Sequence, residues 1–164
     1  RGYRFREGLS AATKDYVIMV PGANHILENT LVEIFNHMGE TPLIITYTKN
    51  PEVRPLPVRL VSKSFATLCN IIFGLNLRYY NGIALYPRKL LQQVIVADSP
   101  AYNAGILIQL LKSGVGYIEL PQELNPVSAG VPGRTFAFSN VIASLKTLAM
   151  IFWLVQIQRK RVQI

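Results

Sequence analysis

The residues that could do chemistry follow a short apolar run from Tyr16 to Val20, which predicts a buried strand. The strand ends in the turn Pro21-Gly22-Ala23-Asn24, and His25 comes next. A hard divalent cation that neutralises two phosphates needs oxygen ligands, above all carboxylates, at such a strand end. This turn contains no carboxylate, and Asn24 with His25 alone makes a poor magnesium or manganese site. The residue types favour a helix cap for Asn24 and a surface position for His25.

A second polar cluster, Arg78-Tyr79-Tyr80-Asn81-Gly82, lies in the middle of the chain. Aromatic rings and an amide beside a flexible glycine suit a pocket for a sugar or a polyprenyl phosphate. The same residues suit a strand entry with an Asn-Gly turn. From the residues alone, the strand entry is the favoured interpretation.

Other catalytic arrangements find little support. Asp98-Ser99-Pro100 is a helix-start pattern, in which Asp98 is the best remaining acid for general-base work but serves equally well as a cap. No serine has a histidine and an aspartate that the sequence links to it, and no glycine-rich phosphate loop occurs. The single cysteine, Cys69, excludes an internal disulfide and a cysteine-based zinc site, and its apolar neighbours indicate a packing role.

Strands and helices alternate around these residues with short connections. The 164 residues are enough for one domain with a sizeable core. The pattern predicts helices over residues 2–13, 26–38, 58–73, 87–94 and 100–114, and strands over residues 16–20, 42–47, 83–86 and 117–120. This alternation predicts an α/β sheet with helices packed on it.

The C-terminal part differs in composition from the rest. The net charge is +8, and the residues from Pro126 onward contribute five basic side chains and no acidic one. From residue 136 the chain predicts an amphipathic helix with an apolar run from Leu148 to Val155. Aromatic residues at headgroup depth, a snorkelling Lys146 and the basic run 159–161 favour contact with an anionic membrane surface. The alternative is a helix docked on a protein groove or on a further part of the same molecule.

Nucleic-acid binding is a weaker interpretation of the positive charge. Aromatic side chains do not alternate with the basic ones as a base-stacking surface would require. We therefore expect no nucleic-acid partner.

Taken in order, these segments resemble glycosyltransferase family 2, in particular the branch of dolichol- and polyprenyl-phosphate sugar transferases. The resemblance covers nearly all of the chain. The matching segments are Gly8 to Val20 with Pro21 to Asn24, Ile45 to Asn50 with Arg54 and Arg59, Leu77 to Gly82, Asp98 to Leu111, and Gly133 to Phe136.

The resemblance implies a GT-A fold, with a Rossmann-like sheet over residues 1–125 and a loop with a membrane-associated helix over residues 126–164. It implies a nucleotide-sugar donor, a lipid-phosphate or similar acceptor, and a membrane-peripheral position on the cytoplasmic face through residues 136–161. The relatives carry further N-terminal strands and a nucleotide-base pocket, so we expect this chain to be their C-terminal, acceptor-side portion. Unpaired sheet edges would then favour a homo-oligomer.

The resemblance also implies roles for single residues. Pro21 to Asn24 correspond to the turn that holds the donor diphosphate. Tyr80, Asn81 and Gly82 would shape the acceptor or sugar pocket. Arg134 would neutralise a phosphate, which suits its forked donors, and Asp98 would act as the base.

Two departures from the family pattern concern activity. Relatives have an acidic residue at the position of Ala23, where magnesium or manganese is bound, and a glutamate at the position of Gly105. The sequence thus shows no evident metal ligand and predicts an enzyme that is inactive or impaired as it stands. The alternative is a non-catalytic, membrane-peripheral α/β interaction module.

Overall fold

The computed structural model describes residues 2–22, 25–126 and 138–164. Its helices and strands alternate along most of the chain, as predicted. The helices are α1 (Gly2–Ala11), α2 (Glu28–Asn36), α3 (Leu56–Phe73), α4 (Arg88–Leu91), α5 (Tyr102–Lys112) and α6 (Phe138–Phe152), which a π-helical turn (Trp153–Ile157) continues. The strands are β1 (Tyr16–Ile18), β2 (Leu43–Thr48), β3 (Ala84–Pro87) and β4 (Tyr117–Gln122).

The four strands form one sheet in the order β1-β3-β2-β4. β3 runs antiparallel to both of its neighbours, whereas β2 and β4 are parallel. The carboxyl ends of β1, β2 and β4 therefore lie at the same edge of the sheet, together with the start of β3. We call this the carboxyl edge. In open α/β sheets, ligands bind outside the carboxyl ends of the strands.

The sheet is covered on both faces, in agreement with the predicted α/β class. Side chains alternate along β2, so that Leu43 and Ile45 pack in the larger core cluster while Ile44 packs in the smaller one. The larger cluster draws on α1, α3, α5 and α6, and the smaller one includes Ile34 of α2. Cys69 is fully buried in the larger cluster, as predicted, and burial raises the pKa of its thiol to about 12.

The observed helix boundaries confirm some sequence signals and correct others. Gly74 ends α3 in the left-handed conformation with φ of 61°, and Gly39 follows α2 with φ of 96°. Helix α2 begins at Glu28, two residues after the predicted start. Leu27 occupies the N-cap position, and its N–H donates to the carbonyl oxygen of Glu123 at 3.0 Å. Asn24, for which the sequence favours a cap role, lies outside the described residues.

The C-terminal helix belongs to the same core as the sheet. Leu148, Ile151 and Val155 pack in the larger cluster. Beyond the helix the chain turns back, and the Val162 N–H donates to Ser113 Oγ at 2.7 Å. The sequence did not predict this return. The predicted division at residue 126 stays a prediction.

Candidate functional site at the carboxyl edge of the sheet

The turn after β1 lies at the carboxyl edge. Met19 Sδ accepts a hydrogen bond from the Tyr102 hydroxyl at 3.8 Å, so the first turn of α5 lies close to the end of the strand. The structure describes Pro21 and Gly22 of the predicted donor turn, whereas Ala23 and Asn24 lie outside the described residues. Beyond them, His25 is exposed, as predicted.

The segment before β3 reaches the same edge because Gly82 packs directly on β2. A β-carbon at Gly82 would lie 2.2 Å from the carbonyl oxygen of Thr46, so only glycine fits. The Thr46 hydroxyl lies 2.7 Å from both the carbonyl oxygen of Ile83 and Oε1 of Gln122, and it donates its single proton to one of them. The Ile83 N–H donates to the same Gln122 Oε1 at 3.0 Å. A buried polar network therefore fixes this contact.

Asn103 in the first turn of α5 holds the same segment from the other side. Its Nδ2 donates to the carbonyl oxygens of Tyr80 at 2.8 Å and Gly82 at 3.2 Å. Its Oδ1 accepts a hydrogen bond from the Tyr86 hydroxyl. Burial raises the pKa of Tyr86 well above its ordinary value, so this hydroxyl stays a donor.

Tyr80 and Asn81, both predicted to shape a pocket, have opposite environments. Tyr80 is fully buried, and its hydroxyl donates to Asn70 Oδ1 at 2.7 Å. Its ring packs edge-on against Phe65 with centroids 6.4 Å apart. The ring therefore fills the core and offers no surface to a ligand, a correction to the pocket role predicted for it. Asn81 is exposed at the edge, and its binding role stays a prediction.

Asp98 caps a helix other than the one its sequence pattern indicated. Its Oδ1 accepts a hydrogen bond from the Tyr3 N–H at 3.1 Å, in the first turn of α1, and this bond holds the pKa of Asp98 below its ordinary value. A carboxylate with a lowered pKa is a weak base at neutral pH. Ser99 instead serves the turn that leads into α5, where its Oγ accepts from the Ala101 N–H at 3.1 Å.

Gly105 lies buried in α5, against α6. A β-carbon there would meet Cγ1 of Ile151 at 3.5 Å and Cγ2 of Thr147 at 3.7 Å. These are ordinary contact distances for one methyl group and leave no room for a longer side chain. The position at which the resemblance expects a glutamate is thus covered by α6.

Two arginine-tyrosine stacks near the end of β2 were not predicted. Arg54 lies over the ring of Tyr79 at 5.7 Å and donates to its hydroxyl at 2.9 Å. Arg78 lies over the ring of Tyr47 at 4.3 Å, with Nε 3.9 Å from Oε2 of Glu119. The sequence shows the residue types but not which ring each cation meets. Arg134, the predicted phosphate ligand, lies outside the described residues.

The residues present do not fit the metal that the resemblance implies. Within residues 2–22, 25–126 and 138–164, no group of three histidine, cysteine, aspartate or glutamate side chains could hold a metal ion. The turn itself has alanine where the family has an acid.

Comparison with known proteins identifies the architecture. No protein-family model matches the chain, and no curated protein is significantly similar to it. Solved structures of glucosyl-3-phosphoglycerate synthase from Mycobacterium tuberculosis superpose well. The fold is that of a GT-A-like glycosyltransferase.

One of these structures, in complex with Mn²⁺, UDP-glucose and phosphoglyceric acid, matches with a TM-score of 0.60 at 16% identity and covers 93% of this chain. Another, with UDP, matches with a TM-score of 0.57 at 19% identity. A third, with Mg²⁺ and UDP, matches with a TM-score of 0.56 at 16% identity. The chain spans about half the length of these proteins, 54% in the first case. Identities this low show the fold and do not single out the polyprenyl-phosphate branch.

Proposed function

We propose that this chain is the acceptor-side part of a nucleotide-sugar-dependent glycosyltransferase. One observation carries the proposal. The end of β1, with Pro21 and Gly22 after it, and the segment from Tyr80 to Gly82 lie at the carboxyl edge of a sheet whose antiparallel β3 lies between β1 and β2. The similar solved structures with this fold include complexes with UDP-glucose.

The proposed reaction moves a sugar from a nucleotide-sugar donor to a lipid phosphate or a similar phosphate-bearing acceptor. Asn81 is exposed at the edge and would meet the sugar or the acceptor. Arg134 would bind a phosphate through its forked donors. Residues 136–161 would place the domain on an anionic membrane, at its cytoplasmic face, where a lipid acceptor is available.

As it stands, the chain is proposed to be impaired in this transfer. Ala23 supplies no carboxylate to a metal-bound diphosphate. Asp98 is occupied by the Tyr3 N–H and has a lowered pKa, which makes it a poor base.

A non-catalytic, membrane-peripheral module is the second candidate, and the packing of Gly105 favours it. Ile151 and Thr147 of α6 pack against Gly105, the position at which the resemblance expects a glutamate. A domain that keeps the fold and uses α6 for attachment would need no acid there.

Titration calorimetry with UDP-glucose and UDP, with and without Mn²⁺, tests the proposal. We expect weak, metal-independent binding by the chain itself and stronger, Mn²⁺-dependent binding by the variant Ala23→Asp. Ala11→Asp adds the same charge at an exposed site shortly before β1 begins, at the opposite edge, and should change nothing. If Ala23→Asp gains no affinity and the unmodified chain binds neither nucleotide, the glycosyltransferase proposal fails and the module remains.

Transfer assays then identify the acceptor. Radiolabelled UDP-glucose would be offered with a polyprenyl phosphate or with 3-phosphoglycerate, using the Ala23→Asp variant. Product on the lipid alone supports the lipid-phosphate acceptor. Product on phosphoglycerate alone would contradict it.

A further inference from the structure

We infer that α3 and α6 together form one lipid-binding face that seats on an anionic membrane surface. This inference rests on the membrane contact proposed above for residues 136–161, and it adds α3 as a second, independent contact element. We call the exposed apolar side chains of the two helices the α3–α6 face. They are Leu56, Leu60, Val61, Leu68 and Ile71 on α3, and Val141, Ile142, Leu145, Met150, Phe152, Trp153 and Ile157 on α6 and its π-helical turn.

α3 buries one stripe and exposes the rest. Ala66, Cys69 and Phe73 face the core, whereas Leu60 is 56% and Ile71 is 76% exposed. On the exposed side of α3, the apolar side chains of Leu60, Leu68 and Ile71 lie beside the polar ones of Lys63, Ser64 and Thr67. Apolar side chains beside one cation and two hydroxyl groups suit the boundary between lipid headgroups and acyl chains.

Both helices are long and apolar enough to cross a membrane, judged by length and composition. Leu56–Phe73 has a mean hydropathy of 1.3 and Ser139–Ile157 of 1.6. Core helices of soluble proteins pass the same test, but they are mostly buried. Here only 17% and 22% of the two segments is buried. Their buried stripes also pack in the domain core, which places the helices along a membrane surface rather than across it.

The two helices meet at their C-terminal ends. The rings of Phe73 and Phe152 are 6.3 Å apart, and Gln156 Nε2 lies 3.4 Å from the carbonyl oxygen of Ile72. The most exposed apolar residue of α3, Ile71, and the exposed Trp153 therefore flank one junction. On this inference, a single membrane surface contacts both.

The charge of these segments selects an anionic surface. All nine acidic residues lie outside residues 53–97 and 124–164, the two stretches that contain the helices. Arg59 and Lys63 lie on α3, Lys146 lies on α6, and Arg159 and Lys160 follow the π-helical turn and are exposed. Basic side chains near an anionic leaflet add electrostatic attraction to the apolar contact. A neutral protein partner would gain nothing from this distribution.

Vesicle binding tests the inference with the full chain. Trp153 is the only tryptophan, so its emission reports contact of α6 directly. We expect a blue shift with vesicles of phosphatidylcholine and phosphatidylglycerol, and a much smaller one with phosphatidylcholine alone. The α3 contact is measured separately with the double variant Ile71→Trp, Trp153→Phe. Its tryptophan emission should also shift to the blue on anionic vesicles.

A double variant on α3, Leu60→Asp with Ile71→Asp, should weaken vesicle binding by about tenfold or more, because it removes apolar contacts and adds negative charge. Val32→Asp on α2 is the matched control, since Val32 is 50% exposed on a helix of the other layer, and it should leave binding unchanged. Circular dichroism checks that each variant folds.

Two results would overturn the inference. The first is an α3 double variant that binds like the unmodified chain while Leu145→Asp on α6 abolishes binding, which would leave α6 as the sole contact. The second is a chain that does not bind vesicles but self-associates in sedimentation experiments, and that loses this self-association when α3 is substituted. That result would assign the face to a second copy. None of these measurements depends on nucleotide binding or sugar transfer.

Discussion

Gly82 and Thr46 are in direct backbone contact, with the α-carbon of Gly82 seated against the Thr46 carbonyl group. This contact joins the segment before β3 to the end of β2 and so helps to build the carboxyl edge. We expect Gly82→Ala to lower the free energy of unfolding by about 1–3 kcal/mol, because its methyl group would lie 2.2 Å from the carbonyl oxygen. Urea denaturation measures this. Gly8→Ala, in open space on α1, is the control and should be neutral or stabilising.

Asn103 is expected to stabilise the fold through the three hydrogen bonds of its side-chain amide. Asn103→Leu would leave the carbonyl oxygens of Tyr80 and Gly82 and the buried Tyr86 hydroxyl without this partner, and should cost about 2 kcal/mol or more. Adding Tyr86→Phe should recover part of the loss, because it removes one unsatisfied group. A double-mutant cycle with no coupling between the two positions would contradict the network.

Gly105 gives opposite predictions for a short and a long side chain. Gly105→Ala should stabilise α5 by up to about 1 kcal/mol, because the added methyl group finds contacts at 3.5 Å and longer and the helix loses its flexible residue. Gly105→Glu should cost at least about 2 kcal/mol, because it forces a carboxylate against Ile151. Thermal unfolding of both variants measures the difference. Equal stability of the two would show that α6 does not cover this position.

His37 gives the fold a dependence on pH. Its Nδ1 lies 2.8 Å from Oε2 of Glu40, and its Nε2 lies 3.3 Å from Oε1 of Glu33. The hydrogen bond with Glu40 is the main cause that raises the pKa of His37 above its ordinary value of 6.5. The stabilisation is therefore fully present below pH 6.5 and is lost as pH rises through the folded-state pKa. Proton NMR of the imidazole should show the raised pKa, and Glu40→Gln should bring it down. An unchanged value in that variant would remove Glu40 as the cause.

Much of the fold was predictable because local signals and tertiary structure agree. Gly74 sits at the end of a strong helical pattern and adopts the left-handed conformation that such a stop requires. The apolar run that begins at Tyr16 predicted β1, although pairing with β3 ends at Ile18. Helix α2 was misplaced at its start because the pairing of Leu27 with Glu123 depends on residues far apart in the chain.

The candidate site was less predictable because its contacts are long-range. A tyrosine beside Asn81 and Gly82 suggests a ligand surface. The hydroxyl of Tyr80 instead donates to Asn70 on α3, inside the core. Asp98 has the pattern of a cap for the helix that follows it, yet the N–H group it accepts from belongs to Tyr3. No local spacing encodes either partner. What the sequence did predict is the position of Pro21 and Gly22 directly after β1 and the entry of Asn81-Gly82 into β3.

We propose that the carboxyl edge of the sheet receives a nucleotide sugar. Amide shifts in ¹⁵N–¹H correlation spectra of the chain titrated with UDP-glucose test it most directly. We expect the largest shifts at Gly22, Asn81 and Gly82, while the amide of Ser113, at the opposite end of α5, stays unchanged. Shifts concentrated away from these amides, or none at millimolar UDP-glucose, would contradict it.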